Sequence, residues 1–172
     1  MYTIYTIGHS TRTTEQFLAL LKAHGIEELV DVRTIPRSRH NPQFGTEELA
    51  ASLQQAGIAY THLGKLGGLR HASKDSVNLG WQNTSFRGFA DYMATPEFTS
   101  GLDELTPLAE QKTVAIMCAE AVPWRCHRSL IADALTIQGW QVLHIQSRKT
   151  ASPHELTTFV KVQDGKLTYP EP

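Results

Sequence analysis

The sequence predicts an α/β fold: a mainly parallel, Rossmann-like open sheet of about five strands with helices on both faces, plus a C-terminal hairpin. Three observations carry that reading. Short β-branched or apolar runs alternate with segments of helical periodicity through most of the chain. One run, Thr113–Ala119 (TVAIMCA), is continuously apolar, as a parallel strand covered on both faces must be. Glycines stand where helices should close, at Gly25, Gly57 and Gly139. A chain of 172 residues suits one α/β domain, with a core over about 2–147 and an extension over about 148–172.

The elements follow in order. Tyr2–Ile7 is aromatic and β-branched and reads as the first strand. Thr13 with Gln16 three positions on forms a capping box, and Phe17, Leu18, Leu20 and Leu21 supply a helical apolar face. Glu28–Arg33 is the second strand, leading into a loop marked by Pro36 and Pro42. Thr46 is expected to cap a second helix, with Glu47 and Glu48 complementing its dipole. Ile58–Leu63 is the third strand, and the polar, glycine-rich segment from Gly64 to about Thr84 has the length of a functional loop. Ser85–Thr95 and Glu97–Gln111 read as helices separated by Pro96, with Pro107 bending or interrupting the second. The fourth strand is Thr113–Ala119, a helix runs from about Cys126 to Gln138, and Gln141–Ile145 is the fifth strand. The tail carries a helical turn at His154–Thr157 and a hairpin around Asp164-Gly165.

Composition narrows the function classes. Net charge is -1, so no global field draws the chain to nucleic acid or membrane, and anion binding must come from a local cluster. No apolar run approaches the roughly 20 residues of a spanning helix. The N-terminus lacks a basic, then apolar, leader, and two cysteines are too few for a secreted disulfide framework. A cytoplasmic location is the expectation.

Ligands in open parallel sheets bind beyond the carboxyl ends of the strands, and the residues there are unusual. They are Gly8-His9-Ser10, then Asp31 and Arg33 with Ser38 and Arg39, then Gly67-Gly68, then Cys118 and Glu120 facing Cys126, His127 and Arg128. If the first strand lies between the second and fourth, three of these sets meet in one crevice. Arg33, Arg37, Arg39, Arg125 and Arg128 gather positive charge there, and arginine's planar fork suits phosphate or carboxylate. Asp31 and Arg33, two apart on a strand, share a face and could equally form a structural pair. Glu120, just past a buried strand, must be paired or functional. Cys126, at a helix start beside Arg125, His127 and Arg128, has the setting of a lowered thiol pKa, whereas Cys118 reads as a small buried hydrophobe. His24, His71, His144 and His154 read as surface or packing residues.

Two neighbouring patterns fail. A cysteine phosphate cradle wants arginine six positions after the cysteine, but Trp124 stands there. Cys118, Cys126 and His127 lack zinc-finger spacing, so no metal ligand set is assigned, although His9 or Glu120 could complete one in space. Neither nucleotide-binding glycine loop occurs, and the cofactor stays open.

Ile7-Gly8-His9-Ser10, Asp31-Val32-Arg33 with Pro36, Ser38 and Arg39, Leu66-Gly67-Gly68, Cys118-Ala119-Glu120 with Pro123, and Cys126-His127-Arg128 together resemble the domain of unknown function 488 family. The resemblance runs from about Tyr5 to Ile145 and implies a small, single-domain bacterial or archaeal cytosolic protein, without supplying a reaction. Its signature positions coincide with the strand-end residues.

The expected function is a hydrolytic enzyme for a phosphorylated, nucleotide-like or nucleic-acid-derived anion. In this reading Glu120 does acid/base work, Asp31 orients Arg33 or serves as a second carboxylate, and His9 hydrogen-bonds near the reacting centre. Ser10, Arg33, Ser38, Arg39, Gly67, Gly68, Cys118, Cys126, His127 and Arg128 would bind the substrate. One alternative is a thiol-based or metal-binding sensor using Cys118 and Cys126. A second is a non-catalytic nucleic-acid-binding module on the Arg33–His40 loop and the Lys65–Lys74 segment, with binding that falls steeply with salt.

Overall fold

The run that is apolar throughout, Val114–Cys118, is also buried throughout and forms a central strand, β4. Around it lie β1 (Thr3–Gly8), β2 (Glu28–Asp31), β3 (Ala59–His62), β5 (Gln141–Ile145) and β6 (Ala151–Pro153). The helices are α1 (Thr14–Ala23), α2 (Thr46–Gln55), α3 (Thr84–Tyr92), α4 (Pro96–Gln111) and α5 (Arg128–Ile137). The computed structural model describes residues 2–172. Its sheet order is β3-β2-β4-β1-β5-β6, parallel except for β6, and a separate antiparallel hairpin joins β7 (Lys161–Gln163) to β8 (Lys166–Thr168).

This order corrects one expectation. The first strand does not lie between the second and fourth: β4 lies between β2 and β1 and pairs with both. The most apolar strand takes the place where both faces and both edges are covered. The three strand ends still meet, because β2, β4 and β1 are consecutive in the sheet.

Side chains alternate between two cores. Val114, Ile116 and Cys118 face one side with Phe89, Leu102, Leu105 and Leu130 from α3, α4 and α5. Ala115 and Met117 face the other with Phe17, Leu21, Leu49 and Leu53 from α1 and α2. Crossovers of one hand that run in opposite directions along a sheet put their helices on opposite faces.

Local sequence sets most boundaries. The Thr13 hydroxyl accepts from the Gln16 amide at 3.1 Å and the Gln16 side chain accepts from the Thr13 amide at 2.9 Å, completing the capping box of α1. Thr13→Ala is expected to cost about 1 kcal/mol, read from the urea midpoint. Gly25, Gly57 and Gly139 all have positive φ. Gly45 rather than Thr46 takes the N-cap of α2, and the Thr46 hydroxyl instead donates to the Pro36 carbonyl at 2.8 Å. Pro107 does not interrupt α4, since it lies on the exposed side where water can serve the freed carbonyl.

The tail differs most from expectation. No helical turn forms at His154–Thr157, and β6 instead adds an antiparallel edge to β5. Buried Asp133 of α5 explains this. It accepts from His154 Nε2 at 2.7 Å, from the Thr157 amide and hydroxyl at 3.1 and 2.7 Å, and from the Tyr169 hydroxyl at 2.9 Å. The chain continues inward, with His144 Nε2 2.8 Å from His154 Nδ1 and Thr6 Oγ1 2.5 Å from His144 Nδ1. One proton order satisfies every atom: hydroxyl to His144, His144 to His154, His154 to the carboxylate. His144 and His154 are therefore members of a buried relay that ties the extension to the core.

Candidate functional site

A crevice of about 450 Å³ opens above the carboxyl ends of β2 and β4. Arg33, Thr34, Ile35 and Arg37 line one side, Cys118, Ala119 and Glu120 the floor and edge, and Arg125, Cys126 and His127 the far side. Gly68, Leu69, Ser85 and Phe86 close the rim. Of the residues expected at the site, Arg33, Gly68, Cys118, Glu120, Cys126 and His127 line the crevice itself. Asp31, His9 and Arg128 stand behind its wall, and Gly67 underlies the rim.

Arg33 is the best-held group. Its Nε and Nη2 donate to the two Asp31 carboxylate oxygens at 2.9 and 2.7 Å, and its own amide donates to Asp31 Oδ1 at 3.0 Å. The Tyr60 hydroxyl adds a fourth bond to Asp31 at 2.6 Å, and desolvation of this half-buried phenol, reinforced by that carboxylate, pushes its pKa up. Asp31, fully buried and fully bonded, thus orients the guanidinium and has no free lone-pair direction for a second catalytic task. His9 lies behind Arg33. Its Nδ1 bonds the Ser10 carbonyl at 2.8 Å, its Nε2 lies 3.4 Å from Arg33 Nη1, and its ring stacks on Phe44. Burial and the Arg33 charge lower its pKa although the Ser10 carbonyl opposes them, so His9 is a neutral acceptor supporting Arg33.

The far side is built on α5. His127 Nε2 donates to the Val32 carbonyl at 3.0 Å, pinning the helix start to the end of β2. Burial brings its pKa down to about 4, and it is neutral. Gly68 is required beneath it, since a Cβ there would stand 2.6 Å from the ring. Gly67 likewise lies against Thr34, and Gly8 against the Glu120 carbonyl, where a Cβ would approach to 1.6 Å. These glycines let three backbones meet at one point.

Arg128 is the largest fully buried side chain. Its Nη2 donates to the Ala121 carbonyl at 3.0 Å and its Nη1 lies 3.5 Å from Cys118 Sγ. Arg12, unremarked in the sequence, donates to the Gly8 carbonyl, and burial together with the nearby Arg128 charge lowers its pKa. The expectation for Cys126 reverses. It lies two residues before α5 in extended backbone, and burial and the neighbouring Cys118 push its thiol up. Burial also opposes ionisation of Cys118, but the Cys126 thiol, the Arg128 charge and the Glu120 backbone outweigh it, and its pKa is lowered.

Three expected residues stay outside the crevice. Ser10 has φ 51° and continues the β1–β4 ladder through its amide to Ala119. Ser38 accepts from the Asn41 amide within its own loop, and Arg39 is exposed. Residues the sequence did not place at the site include Tyr60, Ser85 and Phe86, the last of which reads from its helical spacing as core. Tyr60 sits diagonally from Asp31 on the adjacent strand, a signal legible only with the register of β2 and β3. Ser85 and Phe86 reach the rim because the Asn83 side chain caps α3 at that point, which no motif announces.

A family model described as Domain of unknown function DUF488 matches residues 13–135, most of the chain. The chain belongs to the DUF488 family. The DUF488 match contains β2, β4, the glycine pair and the start of α5, and so every wall of the crevice; His9 and Ser10 precede it and the Asp133 partners His154, Thr157 and Tyr169 follow it. No curated protein and no solved structure matches the chain. Among the described residues of this DUF488 protein, no group of three or more His, Cys, Asp or Glu is placed to hold a metal ion, and no helix is long and apolar enough to cross a membrane.

Proposed function

We propose that the crevice binds a phosphorylated or otherwise anionic small molecule, nucleotide-like or derived from nucleic acid, and hydrolyses it with Glu120 as the acid/base group. The observation that carries this reading is an imbalance of charge. Arg33, Arg37 and Arg125 line the cavity and Arg128 lies just behind it, while its one acidic side chain is Glu120. Asp31 offsets Arg33 alone, and Arg37, Arg125 and Arg128 have no carboxylate partner among the described residues. Such a surplus favours an anion, and the Arg33 guanidinium, clamped by Asp31 at Nε and Nη2, keeps one Nη1 hydrogen beyond its His9 contact for the ligand.

Glu120 is exposed at the crevice edge and its carboxylate makes no hydrogen bond among the described residues, so it is free to take or give a proton. Against the nucleic-acid alternative, Lys65 pairs with Glu104 at 2.9 Å, and Arg70 is spent on the Gly64 and Gly67 carbonyls over the Tyr92 ring. The basic stripe that module needs is thereby reduced.

The test is calorimetric titration with inorganic phosphate and nucleoside monophosphates, followed by a hydrolysis screen of phosphate esters. Arg33→Ala should weaken binding at least about tenfold, as loss of a charge-assisted pair implies. Glu120→Gln should keep the ligand and lose turnover. Full activity in Glu120→Gln would remove its role, and unchanged affinity in Arg33→Ala would remove the anion site.

A further inference from the structure

Arg128 poses a problem of charge balance separate from the crevice wall. It is 1% exposed, and a guanidinium keeps its proton even there. Among the described residues the carboxylates in contact with basic side chains are Asp31 with Arg33, Glu104 with Lys65, Glu28 with Lys112 and Asp133 with His154, which leaves Arg128 without a carboxylate. One nitrogen reaches a carbonyl, Nε is buried with no partner among the described residues, and Arg12 nearby adds a second positive charge. Burying a charge without an anion is costly. The group in contact with Arg128 that can become an anion is the Cys118 thiol, 3.5 Å from Nη1.

The two sulfurs have unequal surroundings. Both sulfurs lie against Arg128, and Cys118 is the one that meets the charged guanidinium, at Nη1, whereas Cys126 meets only the backbone amide. The Cys118 sulfur also lies 3.6 Å from the Glu120 carbonyl, which a thiol could use as acceptor, but a full buried charge at similar distance outweighs a carbonyl dipole. Cys126 receives the Arg128 amide at 3.5 Å and lies 3.4 Å from His127 Nδ1, a neutral ring that can accept its proton in a hydrogen bond. One proton between two thiols therefore sits on Cys126. Cys118 lines the cavity floor and is 2% exposed, so a small molecule can meet it through the crevice and a protein disulfide cannot.

We propose that Cys118, stored as a thiolate against Arg128, and Cys126 form a two-cysteine redox centre that reduces a small hydroperoxide. The thiolate attacks the terminal peroxide oxygen, the O–O bond breaks, and the alkoxide leaves and takes a proton from water, giving Cys118 sulfenic acid. The Cys126 sulfur then attacks the Cys118 sulfur as the S–O bond breaks. Its thiol proton and the departing hydroxide form water. The peroxide has gained two electrons, one from each sulfur, and a dithiol reductant returns both cysteines to the starting state. The disulfide removes the negative charge beside Arg128, so oxidation leaves that guanidinium uncompensated and the reduced form is the better balanced one. These steps make no use of the Glu120 carboxylate as an acid or base.

The experiment treats the full chain with hydrogen peroxide. The expected result is loss of both titratable thiols, loss of two hydrogens in intact mass, and full recovery with dithiothreitol. Cys126→Ser should stop at a Cys118 sulfenic acid that dimedone captures, and Cys118→Ser should leave Cys126 unreactive. In the unmodified sequence, limiting iodoacetamide near neutral pH should label Cys118 at least about tenfold faster than Cys126, one pKa unit being a factor of ten in thiolate. This labelling needs no variant to fold. Two thiols that survive peroxide, or first labelling at Cys126, would overturn the proposal.

Discussion

Asp31→Ala should destabilise the protein by about 3–5 kcal/mol, the range seen when one partner of a buried ion pair is removed. Asp31 is 0% exposed and accepts four hydrogen bonds, three of them from Arg33 and one from Tyr60. Without it the Arg33 charge stays buried beside a neutral His9, and nothing replaces the lost anion. Tyr60→Phe removes one of those bonds and leaves the ion pair, so its cost should be nearer about 1 kcal/mol. Urea unfolding followed by tryptophan fluorescence separates the two. A shift within about 1 kcal/mol for Asp31→Ala would mean the pair does not hold Arg33, and the anion site would lose its anchor.

The second large effect is acid sensitivity. His127 and His144 titrate at about 4 and about 3 in the folded protein, both because burial disfavours the charged ring. Unfolded, each titrates near 6.5. Between those values the unfolded chain binds more protons than the folded one, so stability is complete above about pH 6.5 and falls as pH drops. Each ring contributes about 1.4 kcal/mol per pH unit well below its unfolded pKa, and the two together remove about 4 kcal/mol between about pH 7 and pH 5. Urea midpoints measured across that range should fall steadily, and His144→Gln should halve the slope. A flat profile would mean the two rings are not held neutral, and the relay from Thr6 to Asp133 would need another proton order.

Much of this was legible in residue order. The capping box at Thr13, the positive-φ glycines and the apolar run of β4 are local devices, and each lies where the sequence places it. The departures are the places where a distant partner outbids local preference. Thr46 leaves its capping role for the Pro36 carbonyl, and the His154–Thr157 stretch forgoes a helical turn to bind Asp133. β6, three residues ending in proline, carries no periodicity of its own and exists because β5 offers an edge. Cys126 has the neighbours of an activated thiol in sequence, yet in space it is the protonated partner, since burial and the adjacent sulfur act through distance rather than position along the chain.

By itself the sequence determined the α/β class, the family and the set of polar residues at the strand ends, because periodicity, caps and side-chain chemistry are properties of neighbours along the chain. The tertiary structure alone decided that β4 separates β1 from β2, that Asp31 is spent on Arg33, and that a buried Arg128 faces a sulfur instead of a carboxylate. Those outcomes are fixed by which charges share a region sealed from water, and a guanidinium's partner there is chosen by proximity across 10 or more positions of chain, as between Cys118 and Arg128.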